Sequence, residues 1–476
     1  MAPNLMMPGN PRYQPKELVQ IFGYDNTMAS VGKVEIANLQ TLGEIGVIPA
    51  HEIALLTPDV IEKVLAIPTS EVDTIERSIT HHDILAWIYI ARQILPEPLR
   101  RWLHVPLTSY DSISTAYALQ FSLAHQQVLV PKTRELIGLM AAMVRKQVAT
   151  LQIGRTHGQH ALPITVGFWM ATILSRIMYC TAEIDRQASS LVGKLSGAVG
   201  AYNAQVGLNM DTSRRGQFEA KVLARLGLKP ARISTQITPP EPIAMFLFSC
   251  LMLSAALGQF GRDGRNLMRS EIGEIREDFE ENQGGSSTMA HKRNPINFEN
   301  LEGTWLKTKC EFGKVLECMI SDHQRDLVGS SIMRDFPIIV INLTHQLNTL
   351  LKKNKQGTPF IMRVSVDAEA CQRNFQTSSK VILAEPMYIA MQMAGYPGDA
   401  HALVNKRLMR RCTHENISLL DAMIREKLDD EEVARAFDQI PHEILVLLTK
   451  PETYTGLASQ KALEIADLAD DFVKTT

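Results

Sequence analysis

Between residues 108 and 360, apolar side chains recur at helical spacing for tens of residues at a time. That pattern restricts the chain to architectures of long helices packed side by side, because a bundle is what buries apolar stripes of such length. Five stretches carry it. Residues 112–147 read as one long helix with an expected bend at Pro131, and 163–193 as a second with Pro163 in its first turn. Residues 242–280, 295–327 and 337–351 complete the set. A proline fits the first turn of a helix because the N–H it lacks would have no partner there. Alternating Val, Ile and Thr are scarce, so no sheet is required.

The flanks differ from the middle. Residues 30–46 are amphipathic, with Val31, Val34, Ile36, Leu39 and Leu42 at mixed three- and four-residue spacing. Residues 71–93 carry Ile75, Ile79, Ile84, Trp87 and Ile90, and Pro96 and Pro98 follow. After Gly357-Thr358-Pro359 the helices shorten again. The expectation is an all-α chain of three domains: an N-terminal helical domain at 1–107, a long-helix bundle at 108–360 and a small C-terminal helical domain at 361–476. Broadly apolar helices of this length would leave large exposed patches on a monomer, which points to an oligomer.

The run 243–257 is uncharged and approaches spanning length, but the same helical pattern continues into Arg262, Asp263, Arg265 and Arg269. A helix apolar on all sides also suits the middle of a large bundle, so a buried core helix is expected and no membrane partner. The net charge of −2, with both signs dispersed, gives no basic arm for nucleic acid. Six cysteines lie far apart without a CxxC pair, which fits buried thiols in a reducing compartment rather than disulfides or zinc. Residues 1–12 have no apolar core of the signal-peptide kind, so a cytoplasmic location is expected. There is no GxxxxGK[ST], no GxGxxG after a strand, no HExxH and no GxSxG. ATP hydrolysis, nicotinamide chemistry and zinc proteolysis therefore lack sequence support.

Polar clusters interrupt the helices at a few places. The longest is Gly284-Gly285-Ser286-Ser287-Thr288-Met289-Ala290-His291-Lys292-Arg293-Asn294-Pro295. Its glycines free the backbone, and its serines precede a cation and an amide, a composition suited to closing over an anion; a surface turn with a basic end is the alternative. Gly154-Arg155-Thr156-His157-Gly158-Gln159-His160 places Arg, Thr, His and Gln between two apolar helices, and histidine titrates near neutrality. Thr108-Ser109 opens a helix, where such residues ordinarily cap and where free N–H groups also bind carboxylate or phosphate. His81-His82-Asp83 sits in a helical stretch; adjacent histidines diverge around a helix and make a poor shared metal site. In Gln324-Arg325-Asp326-Leu327-x-x-Ser330-x-x-x-Arg334, Ser330 and Arg334 share a face if helical and could grip one phosphate, or belong to an ordinary salt-bridged surface.

Together these segments resemble the fumarase/aspartase superfamily and, within it, the adenylosuccinate lyases. The superfamily loop GSSxMPxKxNP is matched from Gly285 to Pro295, with Ala290 standing where the family has Pro. Arg155 to Gln159 and Thr108-Ser109 match the two other shared regions in the expected order along most of the chain. The narrower likeness rests on Arg12-Tyr13, His82-Asp83, the segment Lys194 to Asn203, Thr235-Gln236, Arg325 to Arg334, and Asn297-Phe298-Glu299-Asn300, which looks like the bacterial form.

The resemblance implies a tetramer-forming three-domain fold and β-elimination of fumarate from a succinyl group carried on the nitrogen of a purine or imidazole nucleotide. It implies Ser286 as general base, His157 as general acid, and Lys292 with Asn294 holding the reacting carboxylate. Thr108, Ser109, Thr156, Gln236, Ser287, Asn300 and Arg325 would bind or orient substrate. Arg12, Tyr13, His82, Asp83, Ser330 and Arg334 would fix the nucleotide end. No metal or organic cofactor is implied. The partners are a small-molecule nucleotide and further copies of the chain, in a homotetramer whose sites each draw on three chains. Alternatives are another lyase of the superfamily, of the argininosuccinate lyase or carboxymuconate cycloisomerase type, or a non-catalytic structural homologue.

Overall fold

The structure is a computed structural model and describes residues 6–211, 216–278, 288–289 and 291–475. Its elements are overwhelmingly helical, as the periodicity requires. Helix α1 spans Tyr24–Glu44 and α2 spans Asp83–Ile94. The stretch expected at 112–147 divides into α3, Ser109–Ala124, a π-helical turn at His125–Leu129, and α4, Val130–Lys146. Pro131 explains the division: its nitrogen cannot donate, and the wider turn before it absorbs the missing bond. The third to fifth expected stretches become α6, Glu241–Leu267, α7, Ile296–Glu317, and α9, Pro337–Leu351, so α6 and α7 end short of the expected 280 and 327, and Ile275–Arg276 is a short strand instead. Helix α6 is the one described helix long and apolar enough to cross a membrane, but 72% of its most apolar window is buried inside the chain. It is a core helix.

Two further expectations fail locally. Residues 154–160 do not join helices directly: Leu151–Thr156 (β1) and Gln159–Thr165 (β2) form an antiparallel hairpin. Pro163 therefore lies in a strand opposite Ile153, and helix α5 starts later, at Val166, running to Ala188. A two-stranded ribbon has two edges, so a proline costs it little. Likewise 71–93 is not one helix. A π turn at Glu76–Thr80 ends on His81 in the left-handed region (φ 50°), and His82 is the extended N-cap of α2.

The chain forms two compact units. The first comprises Met1–Leu136, Tyr179–Gln259 and Asn300–Leu351. Its core gathers Leu39 and Leu42 of α1, Trp87 of α2, Leu119 of α3 and Phe218 around one apolar centre, each such side chain contributing about 1.5–3 kcal/mol by leaving water. Two buried ionic contacts run through this unit. Lys194 and Asp111, both fully buried, are joined by an ion pair, and Lys194 Nζ also donates to the Gly197 carbonyl at 3.1 Å. Asp111 in turn accepts the Thr108 N–H at 2.8 Å and the Gly197 N–H at 3.2 Å. The capping role expected at Thr108 is thus present, reciprocated by Asp111.

The other contact is His104 Nδ1 with Glu35 Oε1 at 2.7 Å, which also takes the Ser112 hydroxyl at 2.6 Å. Burial alone would lower the His104 pKa, but the hydrogen bond and charge of Glu35, with Asp111 behind it, outweigh burial and raise it. A histidine whose folded value is raised stabilises fully below its unfolded value of about 6.5 and loses that contribution as pH rises through the folded value. The denaturation midpoint is therefore expected to fall across that window in the wild type. A His104→Ala variant, lacking the titrating group, should show a flatter dependence there when urea unfolding is followed against pH.

The second unit comprises Ile137–Met178, Phe260–Glu299 and Lys352–Thr476. Short helices pack around Phe375, Met387, Met391, Leu403 and Met423, with Ile153 of β1 contributing to the same core. An aromatic series runs beside them: Trp169 stacks on Phe260 at 5.8 Å, Phe260 meets Phe298 at 5.7 Å, and Phe298 meets Phe360 at 5.9 Å. Gly264 makes room for it, since a Cβ there would lie 2.5 Å from the Phe298 ring.

Candidate active site

In the first unit, the start of α3 and the short helix α8, Val328–Met333, bring together residues far apart in sequence. Tyr110 Oη and Ser330 Oγ are 3.0 Å apart. The Arg325 guanidinium lies over the Tyr110 ring, 3.2 Å from its centroid, and donates to Gln236 Oε1 at 2.9 Å. Arg334 follows α8 and donates to Asp83 Oδ2 at 3.1 Å, while His82 Nδ1 lies 3.2 Å from Asp83 Oδ1. His82 Nε2 is 3.4 Å from Ser109 Oγ, closing the circuit. Seven expected site residues are therefore linked: His82, Asp83, Ser109, Gln236, Arg325, Ser330 and Arg334. Two cations and several hydroxyls at one place suit an anionic group. Arg334 and Asp83 also line a cavity of about 400 Å³ whose wall includes Phe22, Met28, Val31, Ile84 and Ile113.

A second group in the same unit holds Tyr13 and Asn300. The Tyr13 ring meets His345 edge-on at 5.2 Å, and His345 Nε2 donates to Asn300 Oδ1 at 2.9 Å. Burial, assisted by the nearby Lys307 charge, lowers the His345 pKa and so favours the neutral ring. Arg12 is exposed in a 3₁₀ turn, its backbone N–H capped by Asn10 Oδ1 at 2.9 Å. Among the described residues its guanidinium has no hydrogen bond joining it to either group.

In the second unit, Thr156, His157, Gly158 and Gln159 form the tip of the β1–β2 hairpin. Thr156 pairs with Gln159, leaving a two-residue turn with φ of 53° at His157 and 76° at Gly158. Positive φ at both central positions is the turn type that matches strand twist, and histidine is among the few non-glycine residues that enter it readily. His157 is exposed at this tip. Lys292 is exposed and its N–H donates to the Met289 carbonyl at 3.0 Å; Asn294 accepts the Ile296 N–H at 2.9 Å at the entrance to α7. Among the described residues, no hydrogen bond joins His157 to Lys292. Ser286, Ser287 and Ala290 lie outside the described residues.

A family model described as Lyase matches residues 25–308, more than half of the chain. Over 97% of both chains, the sequence is 30% identical to an adenylosuccinate lyase of Pyrococcus horikoshii. It is 32% identical to that of Archaeoglobus fulgidus, covering 97% of this chain and 98% of the relative. The chain belongs to the adenylosuccinate lyase family. Among solved structures, the 3-carboxy-cis,cis-muconate lactonizing enzyme of Pseudomonas putida superposes with a TM-score of 0.78 at 22% identity, covering 97% of this chain and 98% of that one. A fumarate lyase from Mesorhizobium sp. BNC1 gives 0.78 at 20%, covering 97% and 100%. At such identity these two establish the fold, the all-α fumarase type, and nothing narrower.

Three residues of these groups were not singled out from the sequence of this adenylosuccinate lyase family member. Tyr110 carries both the Ser330 contact and the Arg325 stack. Tyr117, on the same face of α3, lies near the Arg334 charge, and burial pushes its phenol up to about 12. Its spacing of seven from Tyr110 was the available signal. His345 sits in α9 among Asn342, Thr344, Gln346 and Asn348, so nothing in the sequence set it apart.

Proposed function

We propose that this carbon–nitrogen lyase removes fumarate from adenylosuccinate, giving AMP, and from SAICAR, giving AICAR, in purine nucleotide biosynthesis. The observation that carries the reading is full-length identity to proteins named adenylosuccinate lyase, at 30–32%. The linked Asp83–Arg334, Tyr110–Ser330 and Arg325 contacts support it, because a bare dicarboxylate needs no such second anion grip.

In the proposed reaction, Ser286 takes the proton from the succinyl carbon next to one carboxylate. The electron pair delocalises into that carboxylate as an aci-carboxylate dianion, which Lys292 and Asn294 stabilise. The pair then forms the fumarate double bond, the C–N bond breaks, and His157 protonates the leaving nitrogen. A serine hydroxyl is far too weak an acid to serve as base unless cations and loop N–H groups stabilise the alkoxide in a closed, dry site. Thr108, Ser109, Thr156, Gln236, Ser287 and Asn300 orient the succinyl and base portions. Arg325 also binds substrate. Arg12, Tyr13, His82, Asp83, Ser330 and Arg334 hold the nucleotide end, and binding that remote end orients the reacting bond.

The proposed assembly is a homotetramer whose sites each draw on three chains. Helix α6 supports it: Met245, Phe248 and Met252, spaced along one face, are each more than two-fifths exposed. The three-domain division at 1–107, 108–360 and 361–476 is retained as part of this reading, and six cysteines, none in a disulfide among the described residues, support a cytoplasmic location.

Fumarate release from purified protein supplied with adenylosuccinate tests the activity. No release, together with release from argininosuccinate, would replace the reading with its nearest rival. Arg334→Ala should raise KM for adenylosuccinate about 10- to 100-fold, as loss of a charge-assisted contact worth about 1.5–3 kcal/mol requires, with a smaller change in kcat. An unchanged KM would remove Arg334 from the phosphate.

A further inference from the structure

A general acid works only if its proton is delivered along the right line, and a two-residue turn is a weak clamp by itself. The clamp lies two residues before His157. Arg155 turns inward, its Nη1 and Nη2 donating to Oε2 and Oε1 of Glu274 at 3.1 and 2.6 Å. Nη1 also donates to the Ile153 carbonyl at 3.2 Å, tying the guanidinium to its own strand. Glu274 is fully buried. Its Oε2 also accepts Gln152 Nε2 at 2.9 Å, and its Oε1 accepts Asn374 Nδ2 at 2.8 Å. The backbone carbonyl of Glu274 accepts the Asp367 N–H at 2.9 Å, so the carboxylate stands on a fixed support. The opposite strand is held separately, His160 Nδ1 lying 2.8 Å from Ser378 Oγ.

Two properties set this cluster apart from ordinary packing. Apolar side chains of similar volume would replace a buried ion pair at little or no cost in stability. What they could not supply is a planar two-point grip, which fixes the orientation of Arg155 and so the strand leading to the turn. All four donors come from residues of the hairpin or of the segment packed on it.

We propose that Glu274 is a positioning residue for the elimination: through Arg155 it sets the hairpin tip on which His157 meets the leaving nitrogen. This rests on the acid role given to His157 above. Glu274 touches no substrate; its effect travels through the Arg155 fork.

The test compares fumarate release from adenylosuccinate by the full chain, its Glu274→Gln and Arg155→Lys variants, and His157→Asn. Lysine keeps the charge of Arg155 but cannot make the fork, and glutamine presents an N–H₂ to groups that are already donors. Both variants are expected to lose kcat about 10- to 100-fold while KM stays within about threefold, since misplacement of roughly 1 Å costs on the order of 10² in rate. A role limited to holding the fold together would instead lower the active fraction or move kcat and KM together. Should Glu274→Gln fail to fold, Arg155→Lys decides alone. Turnover within about threefold of wild type in Arg155→Lys, or a KM that climbs in step with the loss of kcat, overturns the proposal. Those results beside an inactive His157→Asn leave the acid role standing. Retained turnover in His157→Asn removes the acid role and this inference with it.

Discussion

Ser286→Ala is expected to slow fumarate release by about 10²–10⁴-fold, the range ordinarily lost with a general base. Adenylosuccinate should bind it nearly as tightly as the wild type. The asymmetry follows from what the hydroxyl is asked to do. In the proposed reaction it moves one proton and carries none of the nucleotide recognition. That recognition falls to groups far from it in sequence, such as Ser330 on Tyr110 and Arg334 on Asp83. Single-turnover rates and equilibrium binding measured on the same preparation separate the two quantities. Turnover close to normal would take Ser286 out of the chemistry, and weakened binding with little loss of rate would make it a substrate contact instead.

Lys194→Met is expected to cost about 3–5 kcal/mol of folding stability, the size seen when one partner of a buried ion pair is removed. Lys194 and Asp111 are both fully inaccessible. Without the ammonium, Asp111 keeps two backbone N–H donors, from Thr108 and Gly197, and faces a methyl group where its counter-charge was. The effect should reach function as well, because Asp111 fixes the turn that presents Ser109. Urea midpoints give the stability directly. A loss of about 1 kcal/mol or less, the size of an exposed pair, would mean that the site is wetter than the structure shows. Adding Asp111→Asn to Lys194→Met should recover part of the loss, since the stranded charge is then gone.

Long helices were legible because their signal is repeated. Each extra turn of α6 or α9 adds another apolar residue in phase, so the period survives local noise. The hairpin was not legible for the opposite reason. Leu151 to Thr156 offers only Leu and Ile as apolar alternates, broken by Gly154, and a bulge between Ile153 and Arg155 shifts even that pattern. Pro163 then looked like a helix start, and the two-residue turn at His157-Gly158 was the sole signal to the contrary. The break at His81-His82 was lost in the same way, since a left-handed residue between two helices leaves the apolar period almost in register.

The site was legible as a set of residues but not as a geometry. Arg325, Ser330 and Arg334 share a short segment, and the resemblance placed Ser330 and Arg334 on the nucleotide end. That Tyr110 would link Ser330 and Arg325 is a tertiary fact, set by two segments more than two hundred residues apart. Glu274 carried no local signal either. One glutamate among several between 271 and 281 reads as surface, and only the fold shows four donors converging on it.

The backward-bent peptide at position 157 also limits which side chains the hairpin can tolerate. Glutamate, lysine and the branched residues strain there, whereas asparagine enters that conformation cheaply. An asparagine at this point should leave the ribbon intact with no proton to give. Crystals of such an arrested form, soaked in intact substrate, would hold the unreacted succinyl-nucleotide in place long enough to be seen.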